Sequence, residues 1–124
     1  MRVKEVMNKA FVVDKDIGLR EAARLMSSKK IGCLLYIEKN KIKGIITESD
    51  LVREFGRKSN ISQAMSKNVI SIAPNDDLDS ALEIMKDNKI KRLPVIEKGS
   101  LVGMVTMTDL MAYADEIEAE FLID

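Results

Sequence analysis

Apolar residues recur along the chain with two different periods, and the alternation of those periods sets out the elements. Leu19, Ala22, Ala23 and Met26 stand at i, i+3, i+4 and i+7, one face of a helix whose other side carries Arg20, Glu21 and Arg24. Lys29 and Lys30 put positive charge at its C-terminal end, where the helix dipole favours it. Cys33–Glu38 is then a short apolar run, Lys39-Asn40-Lys41 a polar turn and residues 42–47 a second run, the pattern of a β-hairpin. A further helix opens at Thr47 and passes through Leu51, Val52 and Phe55. Ahead of these, Val3, Val6 and Met7 share one face of a short helix, and Phe11-Val12-Val13 reads as a brief strand.

After the polar stretch Gly56-Arg57-Lys58-Ser59-Asn60 the same order returns. Ile61, Ala64 and Met65 predict the short helix, residues 69–73 the brief strand, and Leu78, Ala81, Leu82 and Met85 the amphipathic helix. Residues 93–97 and 101–106 flank a Lys98-Gly99-Ser100 turn, and a final helix carries Leu110, Met111, Ala114, Ile117 and Phe121. At an offset of 59 residues Leu19, Ala22, Met26, Lys30, Ile31, Leu34, Ile37, Glu38, Gly44, Thr47, Asp50 and Leu51 meet the same residue types at Leu78, Ala81, Met85, Lys89, Ile90, Leu93, Ile96, Glu97, Gly103, Thr106, Asp109 and Leu110. The chain is an internal duplication, with repeats at 1–58 and 59–124. A unit of this size buries only about 60 % of its unfolded surface. The two repeats are therefore expected to form one module.

Composition narrows the class of protein. Apolar residues make up 46 % of the 124 and aromatics 4 %, so the core is aliphatic. Lys+Arg 20 against Asp+Glu 20 leaves no net charge and argues against a nucleic-acid or membrane-surface partner. The longest apolar run, at 33–37, is too short to span a bilayer, and the start lacks a secretory segment, so the expected location is cytoplasmic. Cys33, the single cysteine, sits among aliphatics as a buried thiol would. Histidine is absent, which removes the commonest general base and zinc ligand and disfavours both an enzyme and a metal site.

One segment occurs twice with its polar residues intact: Gly44-Ile45-Ile46-Thr47-Glu48-Ser49-Asp50 and Gly103-Met104-Val105-Thr106-Met107-Thr108-Asp109. The aliphatics predict a strand end and the Thr and Asp the first turn of a helix. Two readings are open. Thr-x-x-Asp before an apolar run is a capping box, in which the side chains satisfy the helix's own first N–H groups. The same hydroxyl and carboxylate, recurring in register, also suit a polar ligand.

These segments, the Leu19 to Met26 and Leu78 to Met85 helices and the stretch Ile90-Lys91-Arg92-Leu93-Pro94-Val95-Ile96-Glu97 together make each half resemble a CBS domain, and the chain a stand-alone CBS pair. The resemblance implies an α+β fold of two pseudo-twofold-related β-α-β-β-α repeats, packed through small mixed sheets flanked by helices. It also implies clefts between the repeats for adenine nucleotides or adenosyl compounds. Asp50 and Asp109 match the family's ribose-binding carboxylate, and the two oxygens of a carboxylate can accept from both hydroxyls of a vicinal diol. Thr47 and Thr106 match its hydroxyl, and the adjoining helix starts offer N–H groups to phosphate. On the family pattern Thr47 and Asp50 share a cleft with Lys91, Arg92 and Pro94. Thr106 and Asp109 then face Gly32, Cys33 and Leu34, where Leu35 replaces the proline and no charge is supplied. Lys91 and Arg92 make the first cleft the one suited to a phosphorylated ligand. Val13, Ile46, Ile72 and Val105 are candidates both for gripping adenine and for the core.

The expected function is a regulatory module that senses AMP, ADP, ATP or S-adenosylmethionine, needs no cofactor, and passes a change of pose to a protein effector or a second copy in a homodimer. The alternative is a ligand-free dimerisation scaffold whose Thr-x-x-Asp segments are only caps. An enzyme rests on two carboxylates alone and is the weakest of the three readings.

Overall fold

The structure, a computed structural model, describes residues 1–116. They fall into two packing units: a contiguous one, Phe11–Val69, and a discontinuous one that joins Met1–Ala10 to the chain from Ile70 onward.

The contiguous unit contains β1 (Val12–Val13), α1 (Leu19–Lys29), β2 (Cys33–Glu38), β3 (Lys41–Thr47), α2 (Glu48–Glu54) and α3 (Ile61–Ala64). Its sheet runs β1-β2-β3, with β1 parallel to β2 and β2 antiparallel to β3. Lys39 and Asn40 both take positive φ in the two-residue turn, the twist that lets such a tight hairpin close. Leu19, Ala22 and Met26 bury the predicted helix face against Leu34, Tyr36 and Ile46 of the sheet, and Leu51, Ile61 and Ala64 complete that core. Full burial of one such aliphatic contributes about 1.5–3 kcal/mol.

In the discontinuous unit a 3-10 turn at Val3–Glu5 is followed by α4 (Leu78–Asn88), β4 (Arg92–Glu97), β5 (Ser100–Thr106), α5 (Met107–Met111) and a second 3-10 turn, Ala114–Glu116. β4 and β5 are antiparallel. Leu78, Ala81, Leu82 and Met85 pack on Leu93, Val95 and Val105, with Val3, Val6, Ile72 and Leu110 in the same core. Both long helices end on a lysine in the left-handed conformation, Lys30 at φ 55° and Lys89 at φ 54°, whose N–H groups return to the last helical carbonyls.

Packing groups the elements differently from their order in the repeats. Val3 donates its N–H to Asp76 O at 2.8 Å, Lys4 donates to Pro74 O at 2.9 Å, and Asn8 exchanges two backbone bonds with Met104, so the first ten residues belong with the second repeat's elements. Ser66 exchanges the same pair of bonds with Ile45, and Ile61 donates to Ile17 O, which ties α3 and its exit to the contiguous unit.

Three local expectations are corrected. The short N-terminal helix is a single 3-10 turn. The strand expected at 69–73 is one parallel bridge, Ile72 to Val95. Pairing stops there because the next residue placed to donate to β4 is Pro74, which has no N–H, and the chain turns away with Ala73 N–H bonded to the Asp76 carboxylate. The final helix stops at Met111, with Ala112 N–H bonded to the Thr108 and Leu110 carbonyls and a turn through Tyr113. Ile117 and Phe121, expected on that helix, lie outside the described residues. α2 runs as expected through Leu51 and Val52 and ends at Glu54 with Phe55 as its C-cap; Leu51 is buried, while Val52 and Phe55 are 83 % and 52 % exposed.

The start of α4 carries a pH-sensitive support. The Asp77 carboxylate accepts from Ser80 N–H at 2.8 Å. That backbone bond and the Ser80 hydroxyl, with smaller help from Arg2 and the N-terminal ammonium, hold its pKa below the ordinary 3.8 against a small burial effect. A carboxyl lowered on folding adds stability above its unfolded pKa and loses it as pH falls through the folded one. Asp77→Ala should therefore lower stability at pH 7 by about 0.5–2 kcal/mol. The gap from wild type should narrow as urea unfolding is repeated below pH 3.8, and a gap that stays constant would exclude this role.

Candidate functional site

Each repeat carries its Thr and Asp where a strand hands over to a helix. Thr47 ends β3 and Thr106 ends β5, and both have extended backbones as helix N-caps. In the first copy Thr47 N–H donates to Asp50 Oδ2 at 2.9 Å, and Asp50 N–H returns to Thr47 Oγ1 at 3.3 Å. In the second, Thr106 N–H donates to Asp109 Oδ2 at 2.9 Å, and Asp109 N–H returns to Thr106 Oγ1 at 3.1 Å. Both segments are thus complete reciprocal capping boxes. The helix starts offer fewer unengaged N–H groups than expected, since Glu48 N–H donates to Gly32 O at 3.1 Å and Met107 N–H to Lys91 O at 2.8 Å.

Beyond the boxes the copies differ. Thr47 Oγ1 also donates to Asp50 Oδ2 at 3.0 Å, and Arg53 Nη2 donates to Asp50 Oδ1 at 2.5 Å. The Arg53 side chain is 57 % exposed and that of Asp50 only 13 %. At Asp109, Oδ1 instead accepts the neutral Asn8 amide at 2.9 Å. Arg53 was legible as an i+3 neighbour of Asp50 on one helix. Asn8 lies 101 residues from Asp109, and no local pattern joins them.

The glycine that opens each motif is explained by approach. A Cβ on Gly44 would meet Met65 Sδ at 2.5 Å and Ser66 O at 2.8 Å; on Gly103 it would meet Met7 Sδ at 2.8 Å and Asn8 O at 3.0 Å. Removing that one carbon lets the neighbouring segment run beside the strand and exchange backbone bonds with the next residue, Ile45 or Met104. This contact also brings Asn8 to Asp109.

The other candidate residues are placed as follows. Gly32, Cys33, Leu34 and Val13 lie in the contiguous unit with Thr47 and Asp50; Lys91, Arg92, Pro94 and Ile72 lie in the discontinuous one with Thr106 and Asp109. Cys33, half-buried, stands across from Thr47, and Arg92 across from Thr106. Within its own unit the basic pair borders the Thr106–Asp109 turn. Leu34, Ile46, Ile72 and Val105 are core side chains, Pro94 is fully buried, and Val13 is partly buried against the Leu34 cluster. Among the described residues no group of three or more His, Cys, Asp or Glu is placed to hold a metal ion, and no helix is long and apolar enough to cross a membrane.

The family model for the CBS domain matches residues 3–57 and again 61–116. The chain belongs to the CBS domain family. CBS domain-containing protein YhcV of Bacillus subtilis is 32 % identical to it, over 87 % of this chain and 81 % of that protein. Inosine-5'-monophosphate dehydrogenase of Thermoplasma acidophilum is also 32 % identical over 86 % of this chain, but the match spans only 22 % of the dehydrogenase. Among solved structures, the CBS domain pair of protein MJ0100 in complex with 5'-methylthioadenosine and S-adenosyl-L-methionine is similar at a TM-score of 0.87, with 26 % identity, covering 93 % of this chain and 96 % of that one. The similarity carries the α+β fold of a CBS pair across nearly the full chain.

The two glycines should respond unequally to substitution. Met65 and Met7 can move, so the fixed carbonyls decide the cost, and Ser66 O is the nearer. Gly44→Ala should destabilise by about 1–3 kcal/mol, and Gly103→Ala by less. Urea midpoints measure both, and equal midpoints for wild type and Gly44→Ala would rule out the close approach.

Proposed function

We propose that the chain is a ligand-sensing regulatory module, in which the Asp50 and Asp109 carboxylates take the ribose hydroxyls of an adenine nucleotide or adenosyl compound. One observation carries the reading. The Thr-Asp turn is built twice with the same bonds, in a CBS pair similar to one solved with 5'-methylthioadenosine and S-adenosyl-L-methionine. The candidate ligands are AMP, ADP, ATP and S-adenosylmethionine. Thr47 and Thr106 add hydroxyls, Lys91 and Arg92 charge for phosphate, and Gly32, Cys33, Leu34, Pro94, Ile72 and Val13 the surrounding contacts. Capping does not oppose this role, because a carboxylate has about four acceptor positions and the box uses one or two of them.

Signalling belongs to the proposal as well. A ligand shifts the module only if it binds one pose more tightly than another, and the shift is then read by a protein effector or by a second copy. Val52 and Phe55 in one unit, and Met111 and Tyr113 in the other, expose apolar surface that supports a homodimer. The proposal includes no catalytic step, and it places the module in the cytoplasm.

A thermal-shift screen tests the reading with AMP, ADP, ATP, S-adenosylmethionine and NAD on wild type, Asp50→Ala and Asp109→Ala. A ligand at 100 times its dissociation constant should add about 2.7 kcal/mol of stability. At least one compound is expected to raise the midpoint, and each substitution to reduce the rise. No rise at millimolar concentration favours the ligand-free scaffold.

A further inference from the structure

The two carboxylates that the proposed function assigns to ribose are not equally open. Asp50 already accepts from three donors, namely Thr47 N–H, Thr47 O–H and Arg53 Nη2. Among the described residues Asp109 accepts from two donors, Thr106 N–H and the Asn8 amide. A carboxylate offers about four acceptor positions, so Asp109 retains two and Asp50 one. A vicinal diol needs two. Charge reinforces the count, because the guanidinium on Asp50 compensates its negative charge, whereas the amide on Asp109 leaves that charge in place.

The turns differ at two points: the Thr47 hydroxyl also donates to Asp50 Oδ2, and Oδ1 meets a guanidinium at Asp50 where it meets a neutral amide at Asp109. Arg53 stands three residues after Asp50, and the residue three after Asp109 is Ala112. Ala112 has right-handed helical dihedrals, φ −65° and ψ −18°, and is exposed, so an arginine fits there without strain. Asn8 occupies Oδ1 of Asp109 in the same way, but its amide brings no charge and so holds the carboxylate less strongly than a guanidinium does. The position corresponding to Asn8 beside Gly44 is Ser66, whose backbone makes the matching bonds to Ile45.

We propose that Arg53 is a specificity-determining latch: it occupies the Asp50 carboxylate, so that vicinal-diol ligands bind the Asp109 end more tightly and reach the Asp50 end only after the arginine swings out to solvent. The proposal rests on ribose recognition by the two carboxylates and adds which of them is open. It also bears on selectivity. An anionic ligand can offer the displaced guanidinium a new partner, and a neutral riboside cannot, so the latch discriminates most strongly against uncharged ribosides.

The test is calorimetric titration with adenosine, which carries the diol and no phosphate. Asp109→Ala isolates the Asp50 end, and Arg53→Ala added to it should tighten adenosine by about three- to five-fold, the factor an exposed ion pair of this kind commands. The reciprocal transplant, Ala112→Arg in an Asp50→Ala background, should weaken adenosine by a similar factor. Unchanged or weaker binding on removing Arg53 overturns the latch while leaving ribose recognition intact, provided that Asp50→Ala with Asp109→Ala abolishes binding. Adenosine affinity that survives the double carboxylate substitution overturns ribose recognition, and the latch falls with it. Absence of adenosine binding in every variant, those without Arg53 included, overturns both.

Discussion

The fold depends on two places where a side chain is missing. At Gly44 and Gly103 a neighbouring segment lies so close to the strand that a single added carbon would stand 2.8 Å or 3.0 Å from a backbone carbonyl. Each approach allows two backbone hydrogen bonds, Ser66 with Ile45 and Asn8 with Met104, and those bonds decide which stretch of chain packs with which sheet. Had either position carried a side chain, the segment would stand off, its N–H and C=O groups would need other partners, and Val3, Val6, Ile61 and Ala64 would lose the anchor that seats them in the cores.

The cap and the proposed ligand role call on different lone pairs of one carboxylate. Oδ2 serves the helix in both repeats, and Oδ1 faces outward to whatever is nearby: a guanidinium in one, an amide in the other. Duplication preserved the inner oxygen's bond, because losing it costs the helix its start. The outer oxygen meets a different partner in each repeat, so a sequence match that equates Asp50 with Asp109 equates their capping bonds and leaves their openness to be read from the structure.

Much of this was legible in the sequence, and the remainder was not for identifiable reasons. The long helices, the hairpins and their turns follow from local periodicity, and Cys33–Glu38 is found as expected. The capping boxes follow from spacing. The brief strand reduced to a bridge because Ile72 is the residue bonded to β4 and the next one placed to donate to it, Pro74, has no N–H; this depends on which residues face the neighbour, which apolar content does not reveal. Asn8 at Asp109, and Met7 against Gly103, are contacts between distant parts of the chain, and such contacts are set by packing. The glycines were visible as part of a motif, but their reason lay in the segment opposite.

The exchange of terminal segments has a consequence for synthesis. Phe11–Val69 is continuous, so every residue of that unit has left the ribosome while the second repeat is still being made. The other unit needs residues from near the start of the chain and from beyond Ile70, so its core must wait, with Val3 and Val6 held in reserve until Leu93, Val105 and Leu110 arrive. Vectorial synthesis thereby orders the assembly: one unit closes on its own sequence, and the later one closes only when the beginning of the chain is brought back to complete it.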